Sequence, residues 1–183
     1  MANDHLTKQH GEEQWALHTY RYEFANRFVE VDDKVLDAAC GIGYGQEILS
    51  CQYWVGADRL DSADQFTLQV DLRTWAPDFS YDVFVGLETI EHIDPLDAYV
   101  AAAKRADRVI VISTPIIPTC HFNQDHVHDF TRESLEALFS DWRVLEYEVQ
   151  YDPVLKMDTY GLWAFERYDN GGSLPRGFTV IER

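Results

Sequence analysis

Four short apolar runs in this chain end on acidic residues, and this repetition restricts the fold more than any other feature. Lys34-Val35-Leu36-Asp37-Ala38 carries Asp37 at its end, Tyr53–Ala57 ends at Asp58, residues 66–70 end at Asp71, and residues 81–87 end at Glu88. Runs of this length, rich in β-branched and aromatic side chains, read as strands. Helical stretches frame them. In Gly11–Phe28 the residues Trp15, Leu17, Tyr20, Phe24 and Phe28 recur every three to four positions, and Gln46–Cys51, Leu96–Ala106 and Arg132–Phe139 also read as helices, the last behind a Thr131 cap that lacks a full capping box. Arg108–Ser113 is a further strand, and Trp142–Val149 and Leu162–Arg167 close the series.

Strands alternating with helices give an α/β chain with an open, mostly parallel sheet. The last two strands are joined by too little chain for a crossover helix, so they form an antiparallel edge pair. The segment after Asp58 is too short for a full helix, so the helix after the second strand is shortened or missing. The sheet face there is left for another segment or a second copy to cover, and a homodimer is one expectation. Residues 11–169 make one domain, between a polar stretch at 1–10 and a turn-rich tail at 170–183.

Charge narrows the partners. With 15 basic and 32 acidic residues the formal charge is −17, which repels nucleic acid and anionic lipid. No apolar run is long enough for a membrane span. Three scattered cysteines without a CxxC argue for a reducing, cytoplasmic setting rather than a disulfide framework.

The chemistry is concentrated after the first strand. Ala39-Cys40-Gly41-Ile42-Gly43-Tyr44-Gly45 is a glycine loop between a strand and a helix, where backbone turns tightly and a ligand approaches closely. Gln46 stands where the dinucleotide fingerprint has its third glycine, and no Lys-Ser/Thr follows, which excludes a P-loop. In an open sheet the acid-bearing strand ends form the ligand crevice. Such a wall repels pyrophosphate and suits a ligand with an ammonium, a sulfonium, a ribose diol and an aminopurine, namely S-adenosylmethionine. Asp58 is placed for the ribose hydroxyls and Asp71 for the adenine amino group, with Leu72 packing on the ring.

On these residues the chain resembles the class I S-adenosylmethionine-dependent methyltransferases, from about Trp15 to Phe139 and including His18-Thr19-Tyr20-Arg21-Tyr22-Glu23-Phe24-Ala25. The resemblance implies a three-layer, Rossmann-like sheet of seven strands with the last one antiparallel. It implies cofactor contacts from Arg21, Tyr22, Asp37, Ala39, Gly41, Gly43, Tyr44, Asp58, Arg59, Asp71, Leu72 and Glu88.

Glu88-Thr89-Ile90-Glu91-His92 follows the fourth strand, and one helical turn there would put Glu88, Glu91 and His92 on one face. Two carboxylates and an imidazole suit a divalent cation, Mg or Mn. The turn is similar to that of ubiquinone-biosynthesis O-methyltransferases. With Ser113-Thr114-Pro115, Asp125-His126 and Phe130-Thr131-Arg132 it also resembles small-RNA 3′-terminal 2′-O-methyltransferases, which implies His126 as a further ligand. Without a metal, His92 or His126 is the general base, with Glu91 beside it. The expectation is methyl transfer to a hydroxyl of a small molecule or glycan. The alternatives are a metal-dependent RNA 2′-O-methyltransferase, which the net charge disfavours, and a non-catalytic module that only binds the cofactor.

Overall fold

The computed structural model describes residues 12–60 and 66–168. The expectations for residues 1–10, for the 170–183 tail and for the centre of the segment after Asp58 lie outside the described residues. Helix α1 (Glu12–Asn26) precedes β1 (Lys34–Ala38), β2 (Tyr53–Asp58), β3 (Thr67–Gln69) and β4 (Val83–Leu87). Then come α2 (Asp97–Ala103), β5 (Val109–Pro115), α3 (Arg132–Leu138), β6 (Trp142–Asp152) and β7 (Met157–Arg167).

The seven strands form one sheet in the order β3-β2-β1-β4-β5-β7-β6. β1 to β5 are parallel, and β7 runs antiparallel to both β5 and β6. The mostly parallel α/β sheet and its antiparallel final strand match the sequence reading. The last pair also takes the sheet edge, as expected, with β6 outermost. β7 lies inside the sheet between β5 and β6, because Leu162, Trp163, Ala164 and Phe165 are all buried and need cover on both faces. β6 carries exposed Arg143 and half-exposed Glu146 and Glu148, and takes the edge.

Alternation along the central strands sorts the core into two faces. Val35, Val83, Val85, Val109 and Val111 pack with Phe24 of α1 and with Phe28 just after it. Leu36, Phe84, Ile110 and Ile112 pack with Tyr99 of α2 and Leu135 of α3 on the other face. α1 is also tied to the far edge. Arg21 Nε donates to Gln150 Oε1 at 2.9 Å, Gln150 Nε2 to the Leu17 carbonyl at 3.0 Å, and Tyr20 to Glu148 at 2.8 Å.

Three local differences from the sequence reading have physical causes. The helix expected at Gln46–Cys51 is only a 3-10 turn at Tyr44–Glu47, since its start is glycine-rich and Gly43 at φ 81° offers no side-chain cap. Ser134 completes a capping box with Thr131, each side chain bonding the other's backbone N–H at 2.9–3.2 Å. β6 and β7 extend to a tight turn, because the Asp152 carboxylate accepts from the N–H groups of Val154 (2.7 Å) and Leu155 (3.0 Å). Among the described residues no helix is long and apolar enough to cross a membrane. All three cysteines are free.

Candidate functional site

The carboxyl ends of β1, β2 and β4 open into a cavity of about 640 Å³. Its wall includes Tyr22, Ala39, Gly41, Tyr44, Asp58 and Arg59, and then Asp71, Leu72 and Glu88. The loop after β1 makes this wall by left-handed backbone at Ala39 (φ 60°), Gly41 (φ 57°) and Gly43 (φ 81°). A Cβ added at Gly41 would meet no atom within 4 Å, so the open side of the loop faces the cavity. Asp58 Oδ2 accepts from Gly41 N at 2.8 Å and Oδ1 from Leu60 N at 2.9 Å, which fixes its carboxylate at the cavity edge.

Three of the expected cofactor contacts sit elsewhere. Gly43 is buried and turns the chain beneath the loop, away from the cavity lining. Asp37 is buried under the same loop, where it accepts from Tyr22 Oη at 3.1–3.2 Å and Trp54 Nε1 at 3.3 Å. Burial there pushes its carboxyl up to about 7. Arg21 is 1% exposed and belongs to a different cavity, described below. Gly45, which the sequence reading did not single out as a contact, is what lets Tyr22 and Asp37 meet. A Cβ there would lie 2.3 Å from Tyr22 Cε1 and 2.7 Å from Asp37 Oδ2.

Asp71 lines the cavity but is paired with Arg73, whose guanidinium lies 2.6–3.2 Å away and holds the carboxyl down at about 2. Val70, Leu87, Ile93 and Val127 add apolar wall that the sequence reading missed. These side chains carry no motif and are recognisable only once the strand ends are placed.

A second cavity, of about 380 Å³, lies beyond Glu88 and His92. His18, Glu88, His92 and Asp125 line both cavities. Glu88 is held in left-handed backbone (φ 50°), an uncommon conformation for a side chain of this size. Ser113 Oγ donates to Glu88 Oε1 at 2.9 Å, and Arg21 Nη2 lies 3.7 Å from Oε2. Burial raises the Glu88 pKa, opposed by Arg21 and Ser113.

That left-handed residue breaks the single helical turn expected from Glu88 to His92. Only Ile90–His92 is helical, as a 3-10 turn. Among the described residues the candidate ligand atoms that gather within 4.8 Å are those of Glu91, His92 and His126, and Glu88 is outside the group. Glu91 is 1% exposed. Its Oε2 accepts from Thr114 Oγ1 at 3.0 Å, while Oε1 is buried with no hydrogen-bond partner among the described residues. Burial and the charge of Glu88 raise its pKa well above the carboxylate range.

His92 Nδ1 lies 2.9 Å from the Asp125 carbonyl oxygen, which only accepts, so the proton is assigned to Nδ1. In the neutral ring Nε2 then carries the lone pair, 4.0 Å from Glu91 Oε1. The His126 ring meets the His92 ring edge-on at 4.6 Å, and its Nδ1 lies 2.6 Å from Thr119 Oγ1. Burial and the neighbouring His92 push His126 down to about 4. His128 points elsewhere, bonding the Ile93 carbonyl at 2.9 Å.

No protein-family model matches the chain, and no curated protein sequence does. Solved structures do match in shape. The N-methyltransferase NodS from Bradyrhizobium japonicum WM9, crystallised with S-adenosyl-L-homocysteine, superposes with a TM-score of 0.67 at 14% identity, over 92% of this chain and 94% of that one. Magnesium protoporphyrin IX methyltransferase from Synechocystis PCC 6803, with bound S-adenosylmethionine, gives 0.66 at 13% identity, over 91% and 87%. The 1,6-didemethyltoxoflavin-N1-methyltransferase of Burkholderia thailandensis gives 0.60 at 11%, over 90% and 94%. The chain therefore has the fold of the S-adenosylmethionine-dependent methyltransferases.

Proposed function

We propose that this chain is an S-adenosylmethionine-dependent methyltransferase acting on a hydroxyl of a small molecule or glycan. The observation that supports this most is His92. It belongs to the walls of both cavities, and its Nδ1 is engaged by the Asp125 carbonyl. A cofactor bound in the larger cavity supplies a methyl carbon on a sulfonium, already activated for attack. The cavity suits it: its volume is that of a nucleoside-sized ligand, Gly41 leaves room for close approach, and Asp58 is fixed where a ribose diol can donate.

The protein then has three tasks: to orient the acceptor, exclude water and receive one proton. Proximity supplies most of the rate, since the donor needs no activation. The Nε2 lone pair of His92 accepts the hydroxyl proton as the oxygen attacks, with Glu91 Oε1 4.0 Å from that nitrogen. The net charge of −17 weighs against an RNA acceptor. Three free thiols fit a reducing, cytoplasmic setting.

A second reading rests on the same cluster. Glu91, His92 and His126 offer one carboxylate and two imidazoles, and the unpartnered Glu91 Oε1 is the kind of buried acceptor a divalent cation would satisfy. Such an ion, Mg or Mn, would lower the pKa of an acceptor hydroxyl.

The deciding experiment is calorimetry with S-adenosylmethionine, followed by mass spectrometry of hydroxyl and amine acceptors incubated with both. Binding and a one-methyl gain on oxygen are expected. Absence of binding, or transfer to nitrogen alone, overturns the reading.

A further inference from the structure

The smaller cavity has a polar buried end, and its mouth carries large apolar side chains beside exposed Gln14 and Asp125. Arg21, Glu91 and Asp152 are each at most 5% exposed. At the mouth Phe122, Val154 and Leu155 are 56%, 63% and 43% exposed. They come from two separate segments, the loop after β5 and the turn between β6 and β7. Single exposed apolar residues need no explanation, but side chains from two segments converging on one cavity form a contact surface.

The buried end is also biased in sign. Glu88, Glu91 and Asp152 line it, and its guanidinium is engaged already. Arg21 bonds Gln150 at 2.9 Å, lies 3.7 Å from Glu88 and covers the Tyr160 ring at 4.1 Å. An anionic head group would be repelled there. Sugar hydroxyls facing Val154 and Leu155 would find no partner on those side chains, at a desolvation cost.

On the reading that this cavity takes the methyl acceptor, we infer that the acceptor is an uncharged amphiphile. Its hydroxyl enters the buried polar end, and its aromatic or alkyl body is held at the mouth by Phe122, Val154 and Leu155. The transfer balances without a further reactant. The oxygen gains the methyl carbon, the carbon–sulfur bond breaks with its electron pair left on sulfur, and the hydroxyl proton goes to His92 Nε2.

The test titrates 4-alkylphenols of increasing chain length into the full chain saturated with S-adenosylhomocysteine. Phenols carrying a ring carboxylate and methyl glycosides are run beside them. Affinity is expected to rise about threefold per added methylene, with the carboxylated and glycosidic probes at least tenfold weaker. Phe122→Ser and Val154→Ser, at exposed positions outside the core, are expected to flatten the chain-length dependence while S-adenosylhomocysteine affinity holds. A flat series in the unaltered chain, an unchanged slope in both variants, or tighter binding of glycosides or carboxylates overturns the amphiphile and leaves the methyltransferase reading standing. If S-adenosylhomocysteine itself does not bind, both fall.

Discussion

The Asp125 carbonyl accepts a hydrogen bond from His92 Nδ1 across 2.9 Å and so decides which nitrogen of the ring faces Glu91. A backbone carbonyl cannot rotate its donor–acceptor character as a hydroxyl can. The tautomer is therefore fixed by chain geometry rather than by a second titrating group.

His92→Asn keeps a polar side chain but removes the basic nitrogen. With the best acceptor found, the turnover rate is expected to fall by about 10²–10⁴-fold, and cofactor affinity to change little. Single-turnover kinetics measure this. A rate within twofold of the unaltered chain would remove His92 from proton transfer.

Glu91→Gln separates the base from the metal. If Glu91, His92 and His126 hold a divalent ion, Mn or Mg raises the melting temperature of the natural chain in a dose-dependent manner. That rise disappears in the variant. The effect also weakens as pH falls, because a protonated imidazole has no ligand lone pair. Full activity after exhaustive chelation would assign the cluster to base catalysis alone.

Asp58→Ala removes the acceptor for a ribose diol, and cofactor affinity is expected to drop by about 1–3 kcal/mol. The structure adds a second effect. Asp58 also holds the N–H groups of Gly41 and Leu60, so the variant should melt lower even without ligand. Calorimetry and a ligand-free melting curve read the two effects separately.

Two glycines of one loop should fail in opposite ways. Gly41→Ala places a methyl group in open space at φ 57°, at a strain cost of about 1–2 kcal/mol. It is expected to fold and to bind cofactor poorly. Gly45→Ala drives a methyl into Tyr22 and Asp37 and is expected to lose stability first, by about 1–3 kcal/mol. A Gly45→Ala melting temperature equal to that of the natural chain would contradict the packing described.

Asp37 gives the fold a pH dependence of known sign. Its folded pKa, about 7, lies above the ordinary carboxylate value, so the folded chain holds a proton that the unfolded chain has released. The stability it contributes is complete below about pH 4 and is lost as pH rises through 7. Asp37→Asn cannot ionise. Its melting temperature is expected to gain on that of the natural chain between pH 5 and pH 8, and a constant gap would refute the shift.

How far these features could be read from the sequence depended on whether a residue's partners were near it. β1 was legible to the residue because Val35 and Leu36 stand between a lysine and a glycine loop. Asp58 and Asp71 were legible as strand ends, and the structure brings both to one cavity. The surroundings of Arg21 were not legible, because a buried guanidinium needs partners and Gln150 lies 129 residues away. The turn at Glu88 was misread because its left-handed backbone is fixed by Ser113 on the next strand, not by its neighbours in sequence. Phe122 and Val154 carry no motif, and their meeting at one cavity follows only from the placement of β7.

The bonds from Arg21 to Gln150 and from Tyr20 to Glu148 join residues 129 and 128 positions apart. Arg21 in the wall of the smaller cavity is thus held by one of the most remote contacts among the described residues, and contacts of this kind slow folding. The wall of the larger cavity draws on shorter separations, such as Tyr22 with Asp37 and Gly41 with Asp58. On the reading that the two cavities take donor and acceptor, the acceptor side leans on contacts of higher sequence separation than the donor side does.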